Sequence, residues 1–353
     1  MSLPRSPAQP ADGATAGDPT GPAGADGAWP PGCFRRYRRP AVRDLAWLVF
    51  DGALQLPQES GVLASAALDP AERSELLALL QRWDEDEDDG WLGPVDPNLR
   101  LGLYAERLLG AWLGHARRIR LLAQNWPLRV GGITLGEADL LVERAGGSLE
   151  LWELACKFYL GVPGKGWIGP GLNDSLAAKV ARMRSHQLPL IERPGFLAAW
   201  AGEWSAKAWL TGWLLAPAQS PAPAPPRSAR IPAVWAEQGA ASLALAQASA
   251  DSLGVRQWSL LPKRRWLRPV FGDEPVAQVF GDLAEAAAFL AGPGAPKQRA
   301  TDHPRPMMLA GVGNANACAA EALRMMLVPR GWSQRAAALQ PPAQQAPDAT
   351  LRS

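Results

Sequence analysis

Between residues 136 and 161 the sequence reads GEADLLVERAGGSLELWELACKFYLG, an apolar stretch interrupted by Asp139, Glu153 and Lys157. In an extended strand alternate residues share a face, so Leu149, Leu151, Glu153, Ala155, Lys157 and Tyr159 lie on one side. The other side, Trp152, Leu154, Cys156, Phe158 and Leu160, is wholly apolar. That pattern belongs to a central strand covered on both faces, where an unpartnered carboxylate or ammonium is expensive. Asp139 shares a face with Glu137, Leu141 and Glu143. If the two segments pair through a turn at Gly146-Gly147, Asp139 and Glu153 lie side by side. Adjacent carboxylates repel, and a divalent cation between them removes that cost. A lysine nearby orients or deprotonates a water, or neutralises charge building on a phosphate. The chemistry open to these residues is metal-assisted hydrolysis. The competing account makes Glu153 and Lys157 an ion pair at a strand edge, with Asp139 capping a turn.

The elements that must position these side chains are legible around them. LGLYAERLLGAWLGHARRIR (101–120) repeats apolar residues at helical spacing, with Tyr104, Leu108 and Trp112 on one stripe and Glu106 on its flank. PLRV, LGEADLLVE and SLELWELACKFYL predict three successive strands separated by paired glycines. NDSLAAKVARMRSHQL predicts a helix capped by Asn173 or Asp174, and KAWLTGWLLAP a fourth strand. Upstream, VRDLAWLVF and DPAERSELLALLQRW predict helices, the second capped by Asp69 with Pro70 in its first turn. Downstream, VRQWSLLPKRRWLRPVF predicts a pair of strands broken at Pro262, and DLAEAAAFLAG a helix.

The order helix, three strands, helix, strand, with Asp in the second strand, Glu and Lys in the third and Glu106 in the first helix, resembles the core of the PD-(D/E)XK nuclease superfamily. The resemblance implies a restriction-endonuclease-like α/β core over residues 101–217, a mixed sheet flanked by helices. It places the metal-binding acids on Asp139 and Glu153, the catalytic lysine on Lys157 and a supporting glutamate on Glu106, with Mg²⁺ or Mn²⁺ as cofactor and nucleic acid, DNA first, as partner. Two positions depart from the superfamily: Ala138 precedes Asp139 in place of Pro, and Ala155 stands two residues before the lysine, so the acid falls on Glu153, one pleat further along the same face. The chain also resembles an uncharacterised bacterial family of the domain-of-unknown-function kind through VRDLAWL, LGEADLL, WELACKFYLG, GPGLNDSLAAKVARM, HQLPL and LLPKRRWL.

Around this core, residues 1–32 carry Gly, Ala and Pro with little to bury and are expected to be a disordered tail. Residues 33–100 form an N-terminal helical region, 218–229 a Pro-rich linker, 230–290 a small C-terminal α+β extension and 291–353 a largely low-complexity tail relieved by EALRMMLVPRGW. The acidic run DEDEDD at 84–89 is expected to be a solvated loop.

Other chemistries fail on spacing. GVPGKGWIGPG holds Gly164-Lys165 but has Gly166 where a nucleotide P-loop needs Ser or Thr. The three cysteines and three histidines are too scattered for a zinc site or a disulfide framework, and no GxSxG occurs. No apolar stretch is long enough to span a membrane, so a cytoplasmic protein with no membrane partner is expected. A net charge of +2 leaves nucleic-acid contact to local clusters. Lys165 in the glycine-rich loop, and Lys179 with Arg182 behind the site, are the expected phosphate contacts. Arginine and lysine around Tyr37, at 117–120 and around Trp266 add basic surface. The alternative function is a catalytically inactive nucleic-acid or protein interaction module on the same scaffold.

Overall fold

The computed structural model describes residues 33–54, 56, 66–218, 231–271, 274, 278–293, 297–298, 301–313 and 320–339. The expected tail at 1–32, the linker beyond residue 218 and the chain from 340 onward lie outside the described residues.

The N-terminal region is helical as expected. Helix α1 (Pro40–Ala46) runs into a single π turn, Trp47–Asp51, and α2 (Pro70–Glu85) opens with a full capping box. There Asp69 accepts the Glu72 N–H at 2.8 Å and the Glu72 carboxylate accepts the Asp69 N–H at 2.9 Å, so two orphan donors are satisfied reciprocally. The acidic run that begins in the last turn of α2 is partly structural. Asp84 is buried and accepts the backbone N–H groups of Arg38 and Arg39 at 2.7 and 2.8 Å, while Asp89 pairs with the Arg39 side chain.

Helix α3 (Leu101–His115) precedes β1 (Ile119–Val130), β2 (Ile133–Arg144), β3 (Leu149–Val162) and the short β4 (Gly166–Ile168). The helix ends five residues before the periodicity suggested, because the chain turns extended at Ala116 and Arg120 enters β1, where it faces Glu143. Helices α4 (Leu176–Arg182) and α5 (Pro194–Ala199) then lead to β5 (Trp204–Pro217). The cap of α4 is Ser175, which accepts the Ala178 N–H at 3.2 Å, and neither Asn173 nor Asp174 as the sequence suggested. Asp174 is thereby left available for another partner.

Beyond the linker come β6 (Ala233–Glu237), α6 (Ala240–Ser252), β7 (Val255–Leu261), β8 (Val279–Phe280) and α7 (Leu283–Ala291). They are followed by the two-stranded pair β9 (Lys297–Gln298) and β10 (Thr301–Pro304), then β11 (Met307–Gly313), β12 (Glu321–Val328) and α8 (Trp332–Ala338). Pro262 ends β7, and Lys263–Trp266 is a 3₁₀ turn where a second strand was expected. The region after 291 also supplies more order than its composition promised, since β11 and β12 are buried strands of one sheet.

That sheet has ten strands in the order β1-β2-β3-β5-β6-β12-β11-β7-β8, with β4 paired to β3. Its pairs are mostly antiparallel; β3-β5, β5-β6 and β6-β12 are parallel. The fold is therefore mixed α/β, and the sheet is continuous from the N-terminal strands to the C-terminal ones through Ala216–Val234 and Pro217–Trp235. One face of the N-terminal strands carries Leu140, Val142, Trp152 and Leu154 against α1, α2 and α3. The other carries Leu141 and Leu151 against Leu190 and Phe196 of the α4–α5 region.

The contact between β3 and β5 depends on one glycine. Gly212 faces Lys157 in the parallel register and holds φ at +127°. A Cβ there would fall 1.7 Å from the Lys157 carbonyl oxygen, so any side chain would push the two central strands apart.

Candidate active site

The register of β2 and β3 pairs Leu140 with Trp152 and Leu141 with Leu151, and the ladder stops there. The next residues outward are Asp139 and Glu153, one on each strand and on a common face. Where the ladder ends, the Asp139 carboxylate takes over from a backbone carbonyl and accepts the Leu154 N–H at 2.8 Å. Asp139 thus holds the splayed strands together by its side chain, and it does not cap a turn.

Glu153 is 2% exposed. One carboxylate oxygen accepts a hydrogen bond from the Gln187 amide, and the protonated Glu153 carboxyl donates a hydrogen bond to the Asp139 carboxylate. Burial first, then the neighbouring Asp139 charge, pushes the Glu153 carboxyl far above the usual carboxylate range, against the pull of Lys179. Asp139 is raised by burial to a smaller degree, because the Leu154 N–H and Lys179 favour its charged form. Glu106, from α3, completes the acidic group: burial, then Asp139 and Glu137, raise it to about 7.

The close packing of α3 on β1 brings Glu106 within reach. Gly110 leaves room for Gln124, whose Oε1 would lie 2.3 Å from a Cβ at that position, and Gln124 Nε2 donates to the Glu106 carbonyl at 3.2 Å.

The lysines divide differently from the sequence expectation. Lys157 stands on the Asp139–Glu153 face of the sheet, but its ammonium donates to Asp174 at 2.8 Å. The expected alternative, an ion pair between Lys157 and Glu153 at a strand edge, is not formed, and β3 lies inside the sheet between β2 and β5. The cation that interacts with both Asp139 and Glu153 is Lys179, from α4. It donates to Gln187 Oε1 at 2.7 Å, so Lys179, Gln187 and Glu153 form one chain of contacts. Burial lowers the Lys179 ammonium, and Glu153 opposes that shift.

The structure therefore sets Asp139 and Glu153 side by side, with Lys179 near both, Glu106 within electrostatic range of Asp139 and Lys157 further along the same face. It does not bring Lys165 to them: that lysine donates to the Leu339 carbonyl at 2.8 Å. Arg182 is exposed at the end of α4. Gln187 and Asp174 were not assigned from sequence. Gln187 lies in the HQLPL segment, but an uncharged amide carries no signal by itself, and Asp174 was read as a helix cap.

Part of the basic surface expected around Trp266 turns inward. Arg268 is buried against Asp44 and Glu274, both at 2.7 Å, and Arg265 also reaches Glu274 at 2.7 Å. Arg43 meets the same Glu274 at 2.8 Å, and Tyr104 donates to Asp44 at 2.8 Å. These charges tie α1, α3 and the segment after β7 together. Cys156, raised to about 12 by burial, is no nucleophile.

Among the described residues no three His, Cys, Asp or Glu side chains converge as a metal-holding group. The acids that stand side by side are a pair, Asp139 and Glu153. They suit an ion such as Mg²⁺, which keeps several waters and is held by one or two carboxylates. The mutual repulsion of the two acids once both are ionised is what a cation would relieve.

Fold and site together define a mixed α/β protein carrying an acidic pair with an attendant lysine at the splayed end of two central strands. The chain belongs to the family described as Domain of unknown function (DUF1853), whose model matches residues 43–328. No match was found among curated proteins or among solved structures.

Proposed function

We propose that this protein is a divalent-metal-dependent phosphodiesterase acting on nucleic acid, DNA in the first instance, on a core similar to that of the PD-(D/E)XK nucleases. The observation that carries the reading is the placement of Asp139 and Glu153 opposite each other where β2 and β3 part, with Lys179 beside both. Asp139 and Glu153 would hold Mg²⁺ or Mn²⁺, which supplies charge stabilisation for the phosphoryl oxygens and a more acidic water. Glu106, with a carboxyl near 7, is suited to exchange a proton with a water. Lys179 offers positive charge next to the acids, and Lys157, released from Asp174, would meet a phosphate along the same face. Order along the chain supports the core as well: α3, β1, β2, β3, then α4 and β5.

Two contacts favour the second reading, an inactive binding module. Gln187 engages Glu153, and Asp174 engages Lys157. In a catalyst both must yield when metal and substrate arrive; in a binding module both are permanent.

The test is Mg²⁺ and Mn²⁺ titration by calorimetry, with cleavage of labelled single- and double-stranded DNA by wild type and Asp139→Asn. Metal binding and cleavage that are both lost in Asp139→Asn support the enzyme. Wild type that binds neither ion at millimolar concentration refutes it.

A further inference from the structure

We propose that a cleft beside Lys157 binds one strand of single-stranded nucleic acid by its phosphodiester backbone. The nature of the ligand rests on the phosphodiesterase reading; the location rests on the cleft itself. The cleft has a volume of about 600 Å³. Its walls are residues 97–102, leading into α3, and 262–266, the turn after β7; its floor is 156–158 of β3 with parts of the loop 169–174.

Four cations line this cleft, Arg100, Lys157, Lys263 and Arg264, against one carboxylate, Asp174, which Lys157 already neutralises. The manner in which two of these cations are held matters. Lys263 lies over the Trp266 ring, 3.5 Å from its centroid. Arg264 lies over the Tyr104 ring and donates to the Asp96 carbonyl at 2.6 Å, while its Nε has no hydrogen-bond partner among the described residues. Aromatic faces and a carbonyl position these charges without cancelling them. Arg265 and Arg268, from the same KRRWLR segment, do the opposite and end in buried carboxylates. One short stretch thus sends two arginines into the core and leaves two cations facing the cleft.

Arg305 adds a further like charge. Together with burial, the larger cause, it pushes Lys263 down to about 8, a tension that an arriving anion relieves. Phe158, partly exposed on the floor, offers an apolar surface to a base. A basic groove with an aromatic floor suits single strands, and a cleft on the scale of a small-ligand site has no room for both strands of a duplex.

The experiment uses the full chain in EDTA, where cleavage is blocked, and follows fluorescence anisotropy of a short labelled single strand, its duplex, and competition by poly-glutamate. Arg100→Gln with Lys263→Gln removes two rim charges outside the carboxylate site. Single-strand affinity should fall about 10-fold or more, and the slope of log K against log salt should flatten by about 1.4, two contacts at about 0.7 each. If the double variant melts early, each single variant should still show about half that change. Unchanged affinity and slope would overturn the proposal. So would wild type that binds no single strand, binds duplex at least as tightly, or releases the strand equally to poly-glutamate. The Mg²⁺-induced melting shift reads the carboxylates separately. Strand binding without that shift removes the phosphodiesterase reading and leaves the cleft, whereas the shift without strand binding removes the cleft alone.

Discussion

Replacing Asp139 by Asn should stabilise the metal-free protein at alkaline pH while abolishing its response to Mg²⁺. Asparagine keeps an oxygen that can accept the Leu154 N–H, so the bond across the splayed strands survives and only the charge is removed. Residues opposite each other on neighbouring antiparallel strands place Cβ atoms about 5 Å apart. Two full charges at about that separation repel by roughly 3 kcal/mol at an effective dielectric constant of about 20. Glu153 retains its proton over part of the range, so the recovered stability is about 1–2 kcal/mol, a rise of roughly 2–4 °C in Tm.

The sign with pH follows from the upward shifts of Glu106, Asp139 and Glu153. A carboxyl whose folded pKa is raised costs nothing while both states are protonated, and its cost is complete once pH exceeds the folded value. Metal-free wild type should therefore lose stability as pH climbs from the ordinary carboxylate range through about 7, where Glu106 titrates, and beyond into the range of Glu153. The Asn variant should flatten that decline, with little gain near pH 5 and the full gain only above about pH 9, once Glu153 has ionised. With Mg²⁺ at ten times a Kd of about 1 mM, wild type should gain roughly 1.4 kcal/mol and the variant almost none. Thermal melting across pH, in EDTA and in Mg²⁺, measures all of this. A fall of several degrees for Asp139→Asn in EDTA at alkaline pH, with no Mg²⁺ shift in wild type, would refute the account of a repelling, cation-binding pair.

Other substitutions separate chemistry from scaffold. Lys157→Met breaks a half-exposed pair with Asp174, so it should cost less than about 1 kcal/mol in EDTA melts while cleavage of labelled DNA is lost. Arg268→Leu leaves Asp44 and Glu274 short of their buried partner and should cost about 3–5 kcal/mol by urea denaturation. Gly212→Ala drives a methyl into the Lys157 carbonyl at a backbone angle that alanine avoids; the expected outcome is insoluble or misfolded protein, and a soluble variant with wild-type Tm would contradict the register of β3 and β5. Gln187→Leu should leave metal-free stability lower and raise Mg²⁺ affinity, because a ligand oxygen of Glu153 is released from its amide, a difference calorimetry reads directly.

Local pattern was enough for the elements and the acids. The alternation in GEADLLVE and SLELWELACKFYL, with glycines between, specifies a hairpin and puts Asp139 and Glu153 on one face, since a strand's side chains alternate whatever surrounds it. The capping box at Asp69 and Glu72 and the stripe of α3 are likewise local, because a few neighbouring residues satisfy them. What lay beyond such patterns was every pairing between distant segments. Lys179, from α4, and Gln187, from the turn after it, are brought to Glu153 by the packing of Leu176 and Val180 on Tyr159 and of Met183 on Ala155. Lys157 turns to Asp174 because Ser175, one residue later, caps α4 in its place. β11 falls in a stretch of poor composition and β12 in the EALRMMLV segment; both are interior strands only because β6 and β7 stand on either side of the pair. The Arg265–Arg268 segment looked like a basic surface, yet Asp44 comes from far along the chain to meet it, and Glu274, a few residues on, is buried against Arg43 as well. A charge's partner is a long-range property, and the sequence determines that the charge is present while the tertiary structure decides whether it faces a carboxylate, a cleft or a cation.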